Sequence, residues 1–224
     1  MNVLNLDSIK QDLIKVAHFC AVKGLVPATS GNFSARLENQ EILISVSGKD
    51  KATLAEEDLM RVDFLGRAKA SNLKPSAETL LHTQIYRTFS NAKFIAHFHS
   101  SSSAVLSKVL LKKGIKVLKL EGFELLKALS GVSTHEYMEI LPIFPNNQNI
   151  EELADFIQPV LDRLANSEKP LHAYLLAGHG LYTWGSTVSE TIRHVDALNT
   201  LIESYLFEMQ LNKVIHDKEE AVKV

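Results

Sequence analysis

The chain predicts a layered α/β/α sandwich on a mixed, mainly antiparallel sheet, and three observations lead there. Strand-like and helix-like segments follow one another in irregular order. At least one pair of alternating segments is joined by a tight turn, as in a hairpin. No glycine-rich turn of the dinucleotide-binding type links a strand to a helix. A doubly wound parallel sheet would need regular alternation and such a turn, so the antiparallel sandwich fits better. With 224 residues, 46% of them hydrophobic, the chain can bury a sizeable core. We read it as one domain, 1–224, with a charged tail from about residue 213.

Charge and cysteine content narrow the class. A formal charge of -2 and an isoelectric point near 6.5 argue against nucleic acid or an anionic membrane as partner, since both attract basic surfaces. Cys20 is the single cysteine, which excludes an internal disulfide and suits a reducing compartment. It falls on an apolar helix face, where a buried thiol is the expected role. Met1 to Lys10 carries Asp7 and Lys10 without the long apolar core of a secretory leader. No run approaches the ~18 apolar residues of a membrane span. A cytoplasmic protein is expected.

In chain order, Asp7 or Ser8 is placed to cap a first helix, whose Ile9, Leu13, Val16, Ala17 and Cys20 share a stripe until Gly24 ends it. His18 flanks that stripe as a core-edge residue. Thr29 to Leu37 is a glycine turn entering an alternating strand, and Glu38-Asn39-Gln40 turns it into a second, Ile42 to Val46. Leu59 to Leu65 reads as another strand. Ser76 is the expected N-cap of a helix with Leu80, Leu81 and Ile85 on its apolar face. Glu78 lies in its first turn, and His82, four residues on, is spaced to hydrogen-bond it. Phe94 to Ala96 opens a buried strand, after which Ser100 to Ser103 cap a helix running from Ala104 toward Lys112.

Lys116 to Leu120 alternates, and Glu121 to Leu129 reads as a short helix with Phe123, Leu126 and Leu129 inward and Glu124 as a solvated charge. Ile140 to Phe144 is a strand interrupted by Pro142, which calls for an edge or a bend. Ile150 to Leu164 is a well-patterned amphipathic helix. Leu171 to Leu176 and Leu181 to Trp184 pair across Gly178-His179-Gly180. The last helix, Val188 to about Asn212, carries Ile192, Val195, Leu198, Leu201, Ile202, Tyr205 and Leu206. It is apolar enough to serve a subunit interface too. His135, His172, His194 and His216 have no partner motif and read as ordinary residues.

The chemistry gathers around His97-Phe98-His99. Residues two apart on a strand share a face, so the two imidazoles lie side by side while Phe98 packs behind. Two neutral imidazoles can hold a divalent ion, zinc first among candidates, but leave its coordination incomplete. His179, between two glycines at the end of another apolar run, offers a third. Ser30-Gly31-Asn32 and Ser47-Gly48-Lys49 each read singly as plain turns. As a pair near a metal they suggest a phosphate cradle, since glycine lets backbone N–H groups approach an anion. Neither has the spacing of a nucleotide-binding P-loop.

Taken in order, Ser30-Gly31-Asn32, Ser47-Gly48, Pro75-Ser76-Ala77-Glu78, His97-Phe98-His99 and His179-Gly180 resemble the motifs of the class II aldolase/adducin superfamily, from about residue 7 to about residue 210. Longer matches around Ala28 to Asn32, Ser47 to Lys51, Pro75 to Thr83 and Gly178 to Gly185 are similar to a dehydratase branch that serves methionine salvage. The resemblance implies a class II aldolase-like fold, a homotetramer, and zinc held by His97, His99 and His179. It implies phosphate binding by Ser30, Gly31, Asn32, Ser47, Gly48 and Ser76. Two carboxylates compete for proton transfer: Glu124 by analogy with the dehydratases, Glu78 by analogy with the aldolases. Gly122-Phe123 stand where the dehydratase pattern carries His-Gln. The implied reaction is dehydration of a methylthio ketose phosphate. A sugar-phosphate aldolase or epimerase is the alternative, and a non-catalytic adducin-type module lies further off.

Overall fold

The computed structural model describes residues 6–69 and 74–222, with side chains up to Ile215. Its eight strands are β1 (Asn32–Arg36), β2 (Glu41–Ser45), β3 (Leu59–Asp63), β4 (Phe94–Phe98), β5 (Val117–Leu120), β6 (Glu139–Phe144), β7 (Ala173–Leu176) and β8 (Gly180–Gly185). They form one sheet in the order β3-β2-β1-β4-β8-β7-β6-β5, antiparallel throughout except between β6 and β7. The five helices are α1 (Leu6–Val22), α2 (Thr79–Thr88), α3 (Ser101–Lys112), α4 (Ile150–Ala165) and α5 (Val188–Val222). The α/β/α sandwich expected from the sequence is the architecture observed.

Strand alternation divides the core in two. Phe33, Leu43, Ala96, Phe98, Leu175 and Leu181 pack with α1, α3 and α5. Ile42, Ile44, Ile95, Tyr174, Tyr182 and Trp184 pack with α2 and α4. On α4 the buried stripe is Leu153, Ile157 and Leu161, each contributing roughly 2 kcal/mol by removal from water. Asn149 caps that helix by accepting the Glu152 N–H, and Ser100 does the same for α3 through Ser103.

Four boundaries differ from expectation. Helix α1 already includes Leu6, so Asp7 and Ser8 lie in its first turn, while Gly24 ends it in the left-handed region at φ 70°. Helix α2 begins at Thr79, three residues beyond Ser76; the Ser76 hydroxyl accepts the Glu78 N–H within the preceding turn. The segment expected as a short helix is a 3-10 turn, Glu124–Ala128. Helix α5 continues to Val222, well past Asn212, because no glycine or proline follows Val188 to stop it.

Strand β6 is a correction as well. Despite Pro142 it lies inside the sheet, between β7 and β5. The Ile143 N–H donates toward β5, to the Lys116 carbonyl. Successive N–H groups alternate sides, so the donor that Pro142 lacks falls on the β7 side. There the pairing covers only Ile143 and Phe144, and no ladder bond is lost.

The topology brings one set of loops together. Strand β1 starts where β2 and β4 end, since both pair with it antiparallel. Strand β8 starts there too, beside the end of β7. A bridge between Val46 and Pro75 adds the turn ahead of α2. The three histidines, the serine-glycine turns and Glu78 therefore share one end of the sheet.

Candidate metal centre and active site

His97 is the penultimate residue of β4 and is fully buried on the α2 face; His99 lies just past the strand end. His179 sits in the turn from β7 to β8, where Leu176 pairs with Gly180. Gly180 explains the approach: a Cβ there would meet the Phe98 carbonyl oxygen at 2.3 Å and the rings of His97 and His99 at 3.0 and 3.1 Å. Gly31, at φ 76°, is required in the same way, since its Cβ would meet the His97 carbonyl at 2.7 Å.

The outcome is convergence. The His97 and His99 Nε2 atoms are 2.9 Å apart, and the His97 and His179 Nε2 atoms 3.4 Å. One ligand atom from each of the three falls within 4.8 Å of the others. Burial, then the neighbouring imidazoles, push His97 well below its ordinary pKa; burial and His179 bring His99 to about 4. Both rings are thus neutral near pH 7. The Leu181 carbonyl can only accept, so at 3.2 Å it takes the His97 Nδ1–H and leaves Nε2 as a bare lone pair. Lone pairs aimed at one point repel unless a cation lies between them, and a second-shell carbonyl fixing a ring tautomer is the usual support of a metal-binding histidine. The donor set fits a divalent ion of the zinc type.

Glu78, at the N-cap of α2, joins this cluster. Its Oε1 is 3.1 Å from His179 Nε2 and its Oε2 3.4 Å from His97 Nε2. Asn32 Nδ2 donates to Oε2 at 2.5 Å. Glu78 and His82 do not bond directly, as their spacing had suggested; Asn32 stands between them, its Oδ1 facing His82 Nε2. Glu124 is not brought to the histidines within this chain. It is 70% exposed, pairs with Lys127, and lies 3.8 Å from His135.

The serine-glycine turns border the cluster. Ser30 Oγ is buried with no hydrogen-bond partner among the described residues. Ala28 and Thr29 just before it are held at φ 51° and 64°, strain of the kind that collects at functional loops. Ser47 and Gly48 are exposed, Gly48 at φ 76°. Lys49 is committed to Asp58 at 2.7 Å. Lys51, to which the sequence assigns no role of its own, is the buried cation here: its ammonium donates to the Thr29 and Lys49 carbonyls at 3.1 and 2.6 Å. Burial lowers its pKa, and its charge in turn depresses that of His99. Nothing in Ser47-Gly48-Lys49-Asp50-Lys51 itself tells Lys51 from Lys49; only the fold does.

His172 and His194, read as ordinary, pin the segment after Glu124. His172 Nε2 donates to the Ser130 carbonyl at 2.8 Å, and the Ser130 N–H donates to His194 Nε2 at 3.1 Å. Arg193 holds the Ala128 carbonyl at 2.8 Å.

Known proteins resemble this chain over most of its length. The family model described as class II aldolase and adducin N-terminal domain matches residues 11–206. A methylthioribulose-1-phosphate dehydratase of Methylococcus capsulatus is 47% identical over 89% of this chain and 91% of its own length. One of Sorangium cellulosum is 42% identical over 91% of this chain and 94% of its own. Among solved structures, an L-fuculose 1-phosphate aldolase superposes with a TM-score of 0.74 at 21% identity, covering 94% of this chain and 91% of that one. No helix among the described residues is long and apolar enough to cross a membrane. The chain belongs to the class II aldolase and adducin family.

Proposed function

We propose that this chain is a zinc-dependent dehydratase that converts 5-methylthioribulose 1-phosphate to 2,3-diketo-5-methylthiopentyl 1-phosphate and water in methionine salvage. The observation that carries this reading is the convergence of His97, His99 and His179 in a chain 47% identical to a protein named for that reaction. A zinc ion held by these histidines would supply Lewis-acid polarisation of the ketose oxygens at C2 and C3.

The chain's own groups do the rest. Ser30, Gly31, Ser47, Gly48 and Ser76 receive the phosphate, with Lys51 as its counter-charge. The Ser30 hydroxyl, unpartnered among the described residues, and the buried Lys51 ammonium, which donates to two carbonyls, support this. Asn32, the first residue of β1, contributes through its backbone, since both ends of its side-chain amide are engaged by Glu78 and His82. Glu78 takes the proton from C3 as the C3–H bond breaks. A C3–C4 double bond forms as the C4–O bond breaks, and Glu124 protonates the departing hydroxyl, which leaves as water. The C3 enol then becomes the second ketone. Glu124 suits its part because its turn is pinned at Ala128 and Ser130 while its carboxylate, paired only at the surface, faces solvent. It must meet substrate from outside the histidine cluster.

A homotetramer, implied by the family resemblance, is the assembly we propose, with the exposed Phe207 and Leu211 of α5 as interface candidates. Buried, unpaired Cys20 suits a cytoplasmic enzyme. The test is a product assay with the methylthio ketose phosphate beside fuculose and ribulose 1-phosphates. Water loss from the first substrate alone supports the reading. Carbon–carbon cleavage without dehydration would establish the aldolase alternative instead.

A further inference from the structure

We propose that His82 is a positioning residue: acting through Asn32, it holds the Glu78 carboxylate between His97 and His179. The inference rests on the reading of Glu78 as a proton-transfer group.

Helix α2 and strand β1 are matched in step. Four residues of helix rise about 6 Å and two residues of strand about 6.7 Å. Glu78, His82 and Tyr86 therefore climb beside Asn32, Ser34 and Arg36 nearly in register, and each level is bonded. Asn32 Nδ2 donates to Glu78 Oε2 at 2.5 Å. Ser34 Oγ lies 2.7 Å from His82 Nδ1 and 2.9 Å from Tyr86 OH. The Arg36 guanidinium carbon lies 4.9 Å from the centroid of the Tyr86 ring. Asn32, Ser34 and His82 are all buried, so water does not supply substitutes.

The donors in this chain run one way. A carboxylate only accepts, so the Asn32 amide must turn its NH2 toward Glu78 and its oxygen toward His82. His82 must then carry its proton on Nε2 to donate to that oxygen. Its Nδ1 is left to accept from the Ser34 hydroxyl, which in turn accepts from Tyr86. Desolvation, which brings His82 to about pKa 4, keeps the ring neutral and preserves this single pattern. Were His82 unable to donate at Nε2, the Asn32 amide would lose the partner that sets its orientation, and Glu78 the donor that holds its rotamer. Asn32 also pairs directly with His97 across the β1–β4 ladder, so the carboxylate is referenced to the same backbone as the imidazole.

The experiment compares His82→Gln, His82→Asn and His82→Phe. Glutamine places an N–H near the Nε2 position; asparagine reaches only the Nδ1 position; phenylalanine has neither. We expect kcat to fall tenfold or more in the asparagine and phenylalanine variants, with KM and bound metal within about twofold. The glutamine variant is expected to recover to within about threefold of the parent. Loss in all three that follows only their fall in Tm, or retention in all three, would overturn the inference. Nitrogen NMR of the imidazole in the unaltered protein provides a check independent of folding: Nε2 protonated supports it, Nδ1 protonated overturns it. A Glu78→Gln variant, assayed in parallel, separates the two claims. Full turnover there removes the reading of Glu78, whereas an inactive Glu78→Gln with equally impaired glutamine and asparagine variants overturns the role of His82 alone.

Discussion

Tyr182 lies flat against His97, ring centroids 4.0 Å apart and planes 14° from parallel. Tyr174 continues the stack behind Tyr182 at 4.9 Å. His97 is thereby fixed by a carbonyl at Nδ1 and an aromatic face along its plane, leaving Nε2 a single direction to point. Replacing Tyr182 with Leu keeps the position apolar but removes the flat support. Metal affinity should fall about tenfold, the scale of lost second-shell support. Competition with a chromophoric chelator measures it, and unchanged affinity would mean the stack is only packing.

The two carboxylates can be told apart. Glu78→Gln should lower kcat by a hundredfold or more and also weaken metal binding, because Glu78 lies against His97 and His179. Glu124→Gln should lower kcat on a similar scale with metal content unchanged, since among the described residues Glu124 forms ion pairs with Lys127 and His135 and none with the histidine cluster. Steady-state kinetics with metal analysis decides. Full activity in Glu124→Gln would place the acid elsewhere.

Lys51 and Lys49 make a paired test of the phosphate cradle. Lys51→Met should raise KM about tenfold and weaken competitive inhibition by inorganic phosphate, as the buried cation proposed as the phosphate's counter-charge is lost. Lys49→Met breaks only the surface pair with Asp58 and should leave KM within about twofold. Equal effects from both would count against Lys51 as the counter-charge.

Stability should pass through a maximum near pH 6.5. Burial depresses His82 and His194 to about 4, so the unfolded chain binds protons first as pH falls from 6.5. Each removes up to about 3 kcal/mol by pH 4. His172 has the opposite sign: burial alone would lower it, but the hydrogen bond and charge of Glu139 at 2.9 Å outweigh that and raise it. Its contribution is complete below 6.5 and is lost as pH rises through its raised value. Urea unfolding across pH 4.5 to 8 should trace this dome, and Glu139→Gln should flatten its alkaline side. A profile flat over that whole range would refute the assignment of all three histidines.

Much of this was legible from residues near one another in the chain. The period of two put His97 and His99 on one face, and the glycines around His179 marked a close approach without saying to what. The hairpin at Glu38 to Gln40 declared itself by alternation and turn residues. What escaped the sequence depends on partners far along the chain. Lys51 is set apart from Lys49 by turning inward to the Thr29 carbonyl while Lys49 pairs with Asp58, and His82 matters because Asn32, 50 residues away, lies between it and Glu78. Pro142 misled because a rule about missing donors says nothing of which side the donor would have faced. Helix α5 runs beyond the expected Asn212 because the charged tail holds lysine, glutamate and alanine, which all favour helix.

Anomalous diffraction at the zinc edge, from crystals of the zinc-loaded protein, tests the central claim most directly. One peak about 2.1 Å from the Nε2 atoms of His97, His99 and His179 is the result predicted. A zinc-loaded protein with its peak elsewhere, or bonded to the first two histidines and not to His179, would contradict it.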